Sequence, residues 1–466
     1  MFFSIQENGI DFATMTSFAK GTPTRANVSA RAYGISTDTR TAKQGDAFIA
    51  LKGENFDGHR FLPAAEKAGC VFAVVDHEVT DCALPQIVVD DTTLALGRIA
   101  KAYKQCFRTI SLAVTGSVGK TTTKEFIYAV LSRKYATNVT KGNFNNEIGL
   151  PLTLLGLTAE HKALLVEMGM NHKGEISALS AIAEPDISVI TFIGTSHMEN
   201  LGSREGIRDA KMEIVDGMRS GGILILNGDE PLLRDVVTDG ICKIYVGLEN
   251  ESCTYKADRV RFLDDHILFD IRMHDGDIMT DLRINVLGKH NVMNALIACV
   301  CGILLGVPED KIREGLLHFS PAAMRQSFIE KDGFTVIEDC YNACPESMKA
   351  GLEVLCHAAD TRGMTPVAVL GDMKELGPVS DKAHLEVGAK VAAANVRRLI
   401  TVGNAAHLIA AGARMAGMPE DRIVELDATA SPEQNAAVIR SHIEKNDILL
   451  FKASRAMALE RIAALL

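Results

Sequence analysis

Apolar runs of four to six residues recur along the chain, each closed by a polar or glycine-bearing turn and separated by stretches of helical spacing. The first runs, 47–51, 71–75 and 86–89, alternate with a helix ending near Gly69 and another from Thr92 to Tyr103, and predict a small α/β unit. From Ile110 the alternation is regular, with strands predicted at 110–114, 163–167, 187–191 and 222–227. That order predicts a mostly parallel sheet with helices on both faces. Short alternating runs at Cys253–Tyr255, Ile267–Ile271 and Leu282–Val286 predict an antiparallel insertion, followed by a helix from about Asn291 to Leu305. Beyond Ser320 strands predicted at 334–338, 366–370, 398–402 and 447–451 announce a second, Rossmann-like α/β unit. The pattern thus predicts three α/β domains, 1–105, 106–319 and 320–466, in line with 466 residues at about 100–200 per domain.

Composition narrows the class. Hydrophobic residues make up 47% and charged residues 23%, as in a folded globular protein. The formal net charge of −10, with no cluster of Lys and Arg, argues against a nucleic-acid surface. Ten cysteines are scattered without a C-x-x-C pair, which predicts reduced thiols in a cytoplasmic protein. The opening residues 1–7 lack the basic region of a signal peptide. The longest apolar run, Ala295–Val307, falls short of the roughly 20 residues that span a bilayer and predicts a buried helix.

Chemistry is announced by the stretch from Thr115 to Glu125, where a strand gives way to a helix through Gly116, Ser117, Val118, Gly119, Lys120, Thr121 and Thr122. Glycines at 116 and 119 let backbone N–H groups turn toward an anion at the positive end of the helix. Lys120 is expected to reach the β- and γ-phosphates of a nucleotide, and Thr121 to place a hydroxyl on Mg²⁺. The loop is a shortened variant, because the usual first glycine is replaced by Val114. Downstream, Asn143, Asn145 and Asn146 precede a helix and fit either a capping turn or a substrate-holding loop. Glu167 ends a strand on the edge where such sheets bind ligands, and reads as a metal ligand or a solvated carboxylate. His197 fits a loop residue and a metal ligand equally, and Lys211 alone would be a surface lysine.

Together these residues resemble the Mur ligase family. The resemblance is carried by TGSVGKTTTKE (115–125), GNFNNEIGLP (142–151), VEMGMNHKGEI (166–176), IGTSHMENLGSREGI (193–207), AKMEI (210–214), LNGDEP (226–231), GKHNVMNALIA (288–298), DCYNACPESM (339–348), LGDMKELG (370–377) and FKASRAMALE (451–460). STDTR (36–40) and GDAFIALKGENFDGH (45–59) extend it toward the N-terminus. It implies an ATP-dependent ligase that joins D-alanyl-D-alanine to UDP-N-acetylmuramoyl-tripeptide through an acyl phosphate. Two Mg²⁺ ions are implied, with Thr121, Glu167, His197 and a carbamylated Lys211 as ligands. His290, Asn291 and Asn294 are implied at the adenine, although Asn291 equally fits a helix N-cap. Arg325 is implied at the phosphate on closure, and Asp339 at the ribose.

The same resemblance assigns the UDP-sugar to the N-terminal domain through Ser36, Thr37 and Arg40, with Lys52 or Asn55 nearby. It assigns the dipeptide to the C-terminal domain through Tyr341, Asn342 and Ser454 or Arg455, and it implies a monomer. Val118, Cys344, Lys374 and Ala453 depart from the usual family residues. Two rival readings stand beside this one: a sibling ligase or folylpolyglutamate-synthase-like enzyme, and a P-loop NTPase switch that hydrolyses nucleotide without an amine acceptor.

Overall fold

The computed structural model describes residues 2–4, 9–53, 55–273 and 276–466; Met1 and residues 5–7 of the opening stretch, and Glu54 of the 45–59 segment, lie outside them. Three large sheets follow one another along the chain. The first orders its strands Phe2–Ser4, Gly34–Ser36, Asp46–Ile49, Phe72–Val75, Gln86–Val88 and Thr22–Pro23. Its inner pairs are parallel and its two edge strands antiparallel.

The central sheet has nine strands, in the order Thr137–Val139, Ala163–Glu167, Ile110–Thr115, Ile187–Ile190, Ile223–Asn227, Cys242–Gly247, Tyr255–Phe262, Ile267–Met273 and Gly276–Ile284. Strand Ile110–Thr115 is buried along Ser111–Thr115 and pairs in parallel with a strand on either side. The strand order reverses there, which opens a crevice at its carboxyl end. The antiparallel strands are not the separate insertion that the alternating pattern suggested. Val246 and Gly247 pair in parallel with Tyr255 and Lys256, so the last hairpins extend the same sheet. Cys253 stands outside that pairing; it is buried in the turn, where its Sγ fills the space beside Gly228 and Gly247. The following helix begins at Lys289, before Asn291, because Gly288 takes the cap position at φ +99°. This helix, Lys289–Leu304, is buried almost throughout and packs on helix Lys120–Leu131. Among the described residues no helix is long and apolar enough to cross a membrane.

The third sheet runs Ser327–Glu330, Thr335–Glu338, Asp447–Lys452, Thr365–Gly371, Arg398–Val402 and Ile423–Leu426. All its pairs are parallel except the first, so here too ligand-facing loops gather at the carboxyl ends. Two strands escaped the hydrophobic pattern: 327–330 is only half-buried, and 423–426 is interrupted by Glu425.

Helices Ser380–Ala393 and His407–Met415 cover this sheet and touch through Gly388 and Gly412. A Cβ at Gly388 would stand 1.9 Å from the Ile409 carbonyl, a backbone atom that cannot step aside. Gly388→Ala is therefore expected to destabilise the protein by about 1–3 kcal/mol through overpacking, measured as a lower urea midpoint with the Cys242→Ala surface variant as control.

Candidate active site

The loop after strand Ile110–Thr115 is built around two glycines. Gly116 has φ +151° and a Cβ there would lie 1.9 Å from the Thr191 hydroxyl, which itself donates to the Val118 carbonyl at 2.6 Å. Gly119 caps helix Lys120–Leu131 at φ +84°, without a side chain over the first helical N–H groups. Those donors are left for an anion. Lys120 Nζ donates to the Gly116 carbonyl at 2.7 Å and lies over the loop. Burial pulls its ammonium below the usual lysine value; Glu167 opposes that shift and Arg325 adds to it.

Glu167 is 2% exposed. Its backbone N–H donates to the Thr140 hydroxyl at 3.0 Å, and buried Lys124 holds the Thr140 carbonyl at 2.7 Å, so the helix after the loop braces the carboxylate's strand. Asn145 Nδ2 donates to Glu167 Oε1 at 2.9 Å, whereas Oε2 is buried without a partner. An orphaned buried carboxylate oxygen asks for a cation. Asn146 serves the helix instead, accepting from the Gly149 N–H at 2.9 Å, so the two readings of this loop divide between adjacent residues.

His197 takes a left-handed backbone conformation at φ +63°, strained for a residue with a Cβ. Its Nδ1 lies 2.8 Å from Glu375 Oε2 at an angle that makes no hydrogen bond, which leaves an ion-pair contact when the ring is protonated. The imidazole, then burial in opposition and Lys120 in support, leave the Glu375 carboxyl below its usual value. Lys211 is 1% exposed, far from the surface position its sequence context suggested. Among the described residues its side-chain amine has no hydrogen bond or ion pair. Burial, reinforced by Lys120, holds its amine well below the lysine range.

A hydrogen-bonded chain ties the loop helix to the segment entering the third sheet. Thr123 donates to Asn294 Oδ1 at 2.9 Å, Asn294 Nδ2 to Asn291 Oδ1 at 3.1 Å, and Asn291 Nδ2 to Gln326 Oε1 at 3.1 Å. Gln326 in turn meets His290 Nε2 at 3.0 Å. Asn291 lies inside the first turn with its amide on the Leu287 carbonyl at 2.7 Å, so it is not the N-cap. Next to Gln326, Arg325 donates to the Thr121 hydroxyl at 3.2 Å and stacks 4.4 Å from the centre of the Tyr341 ring. Asp339 is held by Lys452 at 2.7 Å.

One cavity of about 870 Å³ is lined by Ser117–Thr122, Asn143, Asn145, Asn146, Glu167, His197, His290, Asn291, Asn294, Arg325, Asp339, Tyr341 and Asn342. Gly116 and Lys211 lie behind its lining, and Ser36, Thr37, Arg40 and Lys52 are not part of it. Ser36 is fully buried with its hydroxyl on the Asp38 carbonyl at 2.9 Å. Arg40 folds onto Asp38, whose carboxyl that bond pushes down to about 2. Gln326, Glu346 and Lys452 also line the cavity and were not singled out. Lys452 had a signal, a lysine ending an apolar strand; Glu346, whose carboxylate accepts from Thr195 Oγ1 at 3.2 Å, had none beyond its segment. A second cluster, His59, Asp76 and His77, has the proximity of a metal site but is already satisfied. His59 Nδ1 meets Asp57 at 2.7 Å and Nε2 accepts the Asp76 N–H at 3.0 Å.

The family descriptions Mur ligase family catalytic domain, Mur ligase middle domain, and Mur ligase glutamate ligase domain match residues 31–104, 114–302 and 324–455. The UDP-N-acetylmuramoyl-tripeptide–D-alanyl-D-alanine ligase of Bacillus subtilis (strain 168) is 41% identical over 435 residues, 92% of each chain. A crystal structure of MurF from Acinetobacter baumannii superposes with a TM-score of 0.88 at 31% identity, covering 98% of each chain. A second, MurF ligase from Thermotoga maritima in complex with ADP, gives 0.81 at 27%, over 95% of this chain and 98% of that one.

His290 borders this cavity on one side and is otherwise enclosed. Burial pushes its imidazole down to about 4; Lys452 adds to the shift, and Asp339 and Gln326 oppose it. The folded protein thus keeps the ring neutral where the unfolded chain, near 6.5, takes up a proton, so stability falls as pH drops from 6.5 toward 4. Through this group the wild type is expected to lose on the order of 3 kcal/mol over that window, and His290→Gln correspondingly less, read from urea midpoints at successive pH values.

Proposed function

This chain belongs to the Mur ligase family, and we propose on that basis how its residues divide the work of the reaction. It is an ATP-dependent ligase that joins D-alanyl-D-alanine to UDP-N-acetylmuramoyl-tripeptide in peptidoglycan synthesis. The observation that best supports our assignment of residues is a single cavity in which the phosphate loop, Glu167, His197 and Arg325 meet. Ten free cysteines fit a reducing compartment, and we place the reaction in the cytoplasm, with the chain acting as a monomer.

A free carboxylate does not form an amide at neutral pH. We infer that the tripeptide carboxylate first takes the γ-phosphoryl group of ATP, and that the dipeptide amine then displaces phosphate through a tetrahedral intermediate. Both partners in the first step are anions, so the protein must screen them. Lys120 leaves the Gly116 carbonyl for the phosphates, and Arg325 leaves Thr121 for the same charge. The free N–H groups of Gly119 and the helix start cradle the phosphates.

The orphaned Glu167 Oε2 fits a divalent cation, with buried Lys211 close by Lys120. Thr121 and Glu167 would hold one Mg²⁺, and Glu167, His197 and a carbamylated Lys211 a second; when bound, the ions screen the phosphate and carboxylate charge. Burial favours the uncharged amine of Lys211, the form that attacks CO₂: the amine and CO₂ give a carbamate and release a proton. His290, Asn291 and Asn294 would flank the adenine, and Asp339, steadied by Lys452, the ribose. Asn143 and Asn145 would face the tripeptide end and Ser36, Thr37, Arg40 and Lys52 the UDP-sugar in the unit of residues 1–105. Residues 106–319 carry ATP, and residues 320–466 close on it with Tyr341 and Asn342 toward the dipeptide. Docking of Arg325 and Tyr341 excludes water from the acyl phosphate. A hydrolytic switch would leave the acceptor-facing unit without a purpose.

Phosphate release is expected only when both the UDP-tripeptide and the dipeptide are present, with the UDP-linked pentapeptide appearing by mass. Release independent of the dipeptide would refute the ligase. Lys120→Ala is expected to lower turnover by about 10²–10³. Lys211→Ala is expected to do the same, and to abolish a carbamate signal seen by ¹³C NMR when the wild type is equilibrated with labelled bicarbonate.

A further inference from the structure

The segment from Asp372 to Gly377 crosses from the third sheet to the central one. Its start is fixed at home: buried Asp372 accepts from the Ala405 and Ala406 N–H groups at 2.9 Å, and the Lys374 N–H donates to Ser454 Oγ at 2.9 Å. Its end leans on the neighbouring unit, where a Cβ at Gly377 would stand 3.0 Å from Glu199 Cα and the Glu375 carbonyl faces the Glu199 N–H at 3.5 Å. Between these anchors Glu375 is held at φ +65°, a conformation glycine adopts freely and glutamate does not. Such strain survives where the surroundings over-determine it, and it clusters at functional positions. The strained backbone carries a carboxylate that is half-exposed, 2.8 Å from His197 Nδ1 and within the field of Lys120.

We propose that the Glu375 carboxylate receives the ammonium group of the incoming D-alanyl-D-alanine and seats it beside the reacting carboxyl. The inference rests on the reading that the dipeptide enters from the C-terminal unit. The acceptor carries a primary ammonium, and Glu375 stands against His197, which lines the cavity. The other acidic side chains of this unit that approach the edge are engaged. Asp339 is bonded to Lys452, Asp372 to Lys374, Glu353 lies 3.8 Å from Lys349, and Glu346 shares the Thr195 hydroxyl proton between its oxygens. Among the described residues Glu375 has only the misaligned imidazole, so its carboxylate is open to a new donor. A charge-assisted contact of this kind adds discrimination for a free amine over an acylated one.

Steady-state kinetics of full-length Glu375→Gln test this. The dipeptide KM is expected to rise roughly tenfold to hundredfold, while the KM values for ATP and the UDP-tripeptide stay within about twofold of wild type. Calorimetry with a non-hydrolysable ATP analogue and the UDP-tripeptide supplies a second readout. D-alanyl-D-alanine should bind the variant more weakly, whereas N-acetyl-D-alanyl-D-alanine, which lacks the ammonium, should bind both proteins alike. An unchanged dipeptide KM, or equal weakening of both ligands, would overturn the proposal. Loss of Mn²⁺ affinity with dipeptide binding intact would also overturn it, by assigning Glu375 to the orientation of His197. A wild type that forms no pentapeptide would instead defeat the functional reading itself.

Discussion

Lys120 of the phosphate loop has two basic neighbours, Arg325 and Lys211, against the carboxylates of Glu167 and Glu375, and this balance of charge governs the site. Buried charge without a partner costs several kcal/mol, and the fold meets that cost in two ways. Lys120 and Arg325 borrow uncharged oxygens, the Gly116 carbonyl and the Thr121 hydroxyl, and burial pulls the Lys211 amine well below the lysine range. Each arrangement is provisional. A nucleotide triphosphate and a substrate carboxylate offer these groups better partners, so the free protein is poised toward anions it does not yet hold.

The same provisional character marks the contact between the central unit and the last one. Arg325 on Thr121, Glu346 on Thr195, and Gln326 between Asn291 and His290 are polar contacts, beside Leu287, which joins the apolar cluster of the last unit. Contacts of this kind resemble transient interfaces more than cores. They let the unit that carries Asp339 and Tyr341 dock against the phosphate loop without being locked there. Substrates that touch both units would add to the docking energy.

Most of the architecture was legible because the sheets are buried on both faces, and buried parallel strands read as apolar runs. Strands 110–115, 163–167 and 187–190 announced themselves in this way. Strand 137–139, half-buried at an edge, did not, and the pairing that joins the hairpins of 255–284 to the main sheet is invisible to local pattern. In the site, Gly116, Gly119 and Lys120 stood out because their chemistry needs adjacent residues. Lys452 and Glu375 were overlooked because they act through space: Lys452 meets Asp339 only after strands more than a hundred residues apart have paired, and Glu375 meets His197 only where two different sheets come together. The burial of Lys211 lay equally outside the reach of sequence, since its helix has a strongly polar face and only packing decides which side turns inward.

The hydroxyl of Thr191 carries a consequence for how the chain is made. The phosphate loop ends at residue 122, but it takes its shape from a residue seventy positions later: Thr191 bonds the Val118 carbonyl, and its backbone N–H joins the Thr115 carbonyl at 3.0 Å. At ribosomal rates of about 5–20 residues per second, several seconds pass between synthesis of the loop and arrival of the strand that closes it. During that interval the glycines are unrestrained and the nascent chain has no formed nucleotide cradle. The nucleotide cradle thus takes its shape only once strand Ile187–Ile190 and Thr191 have been made.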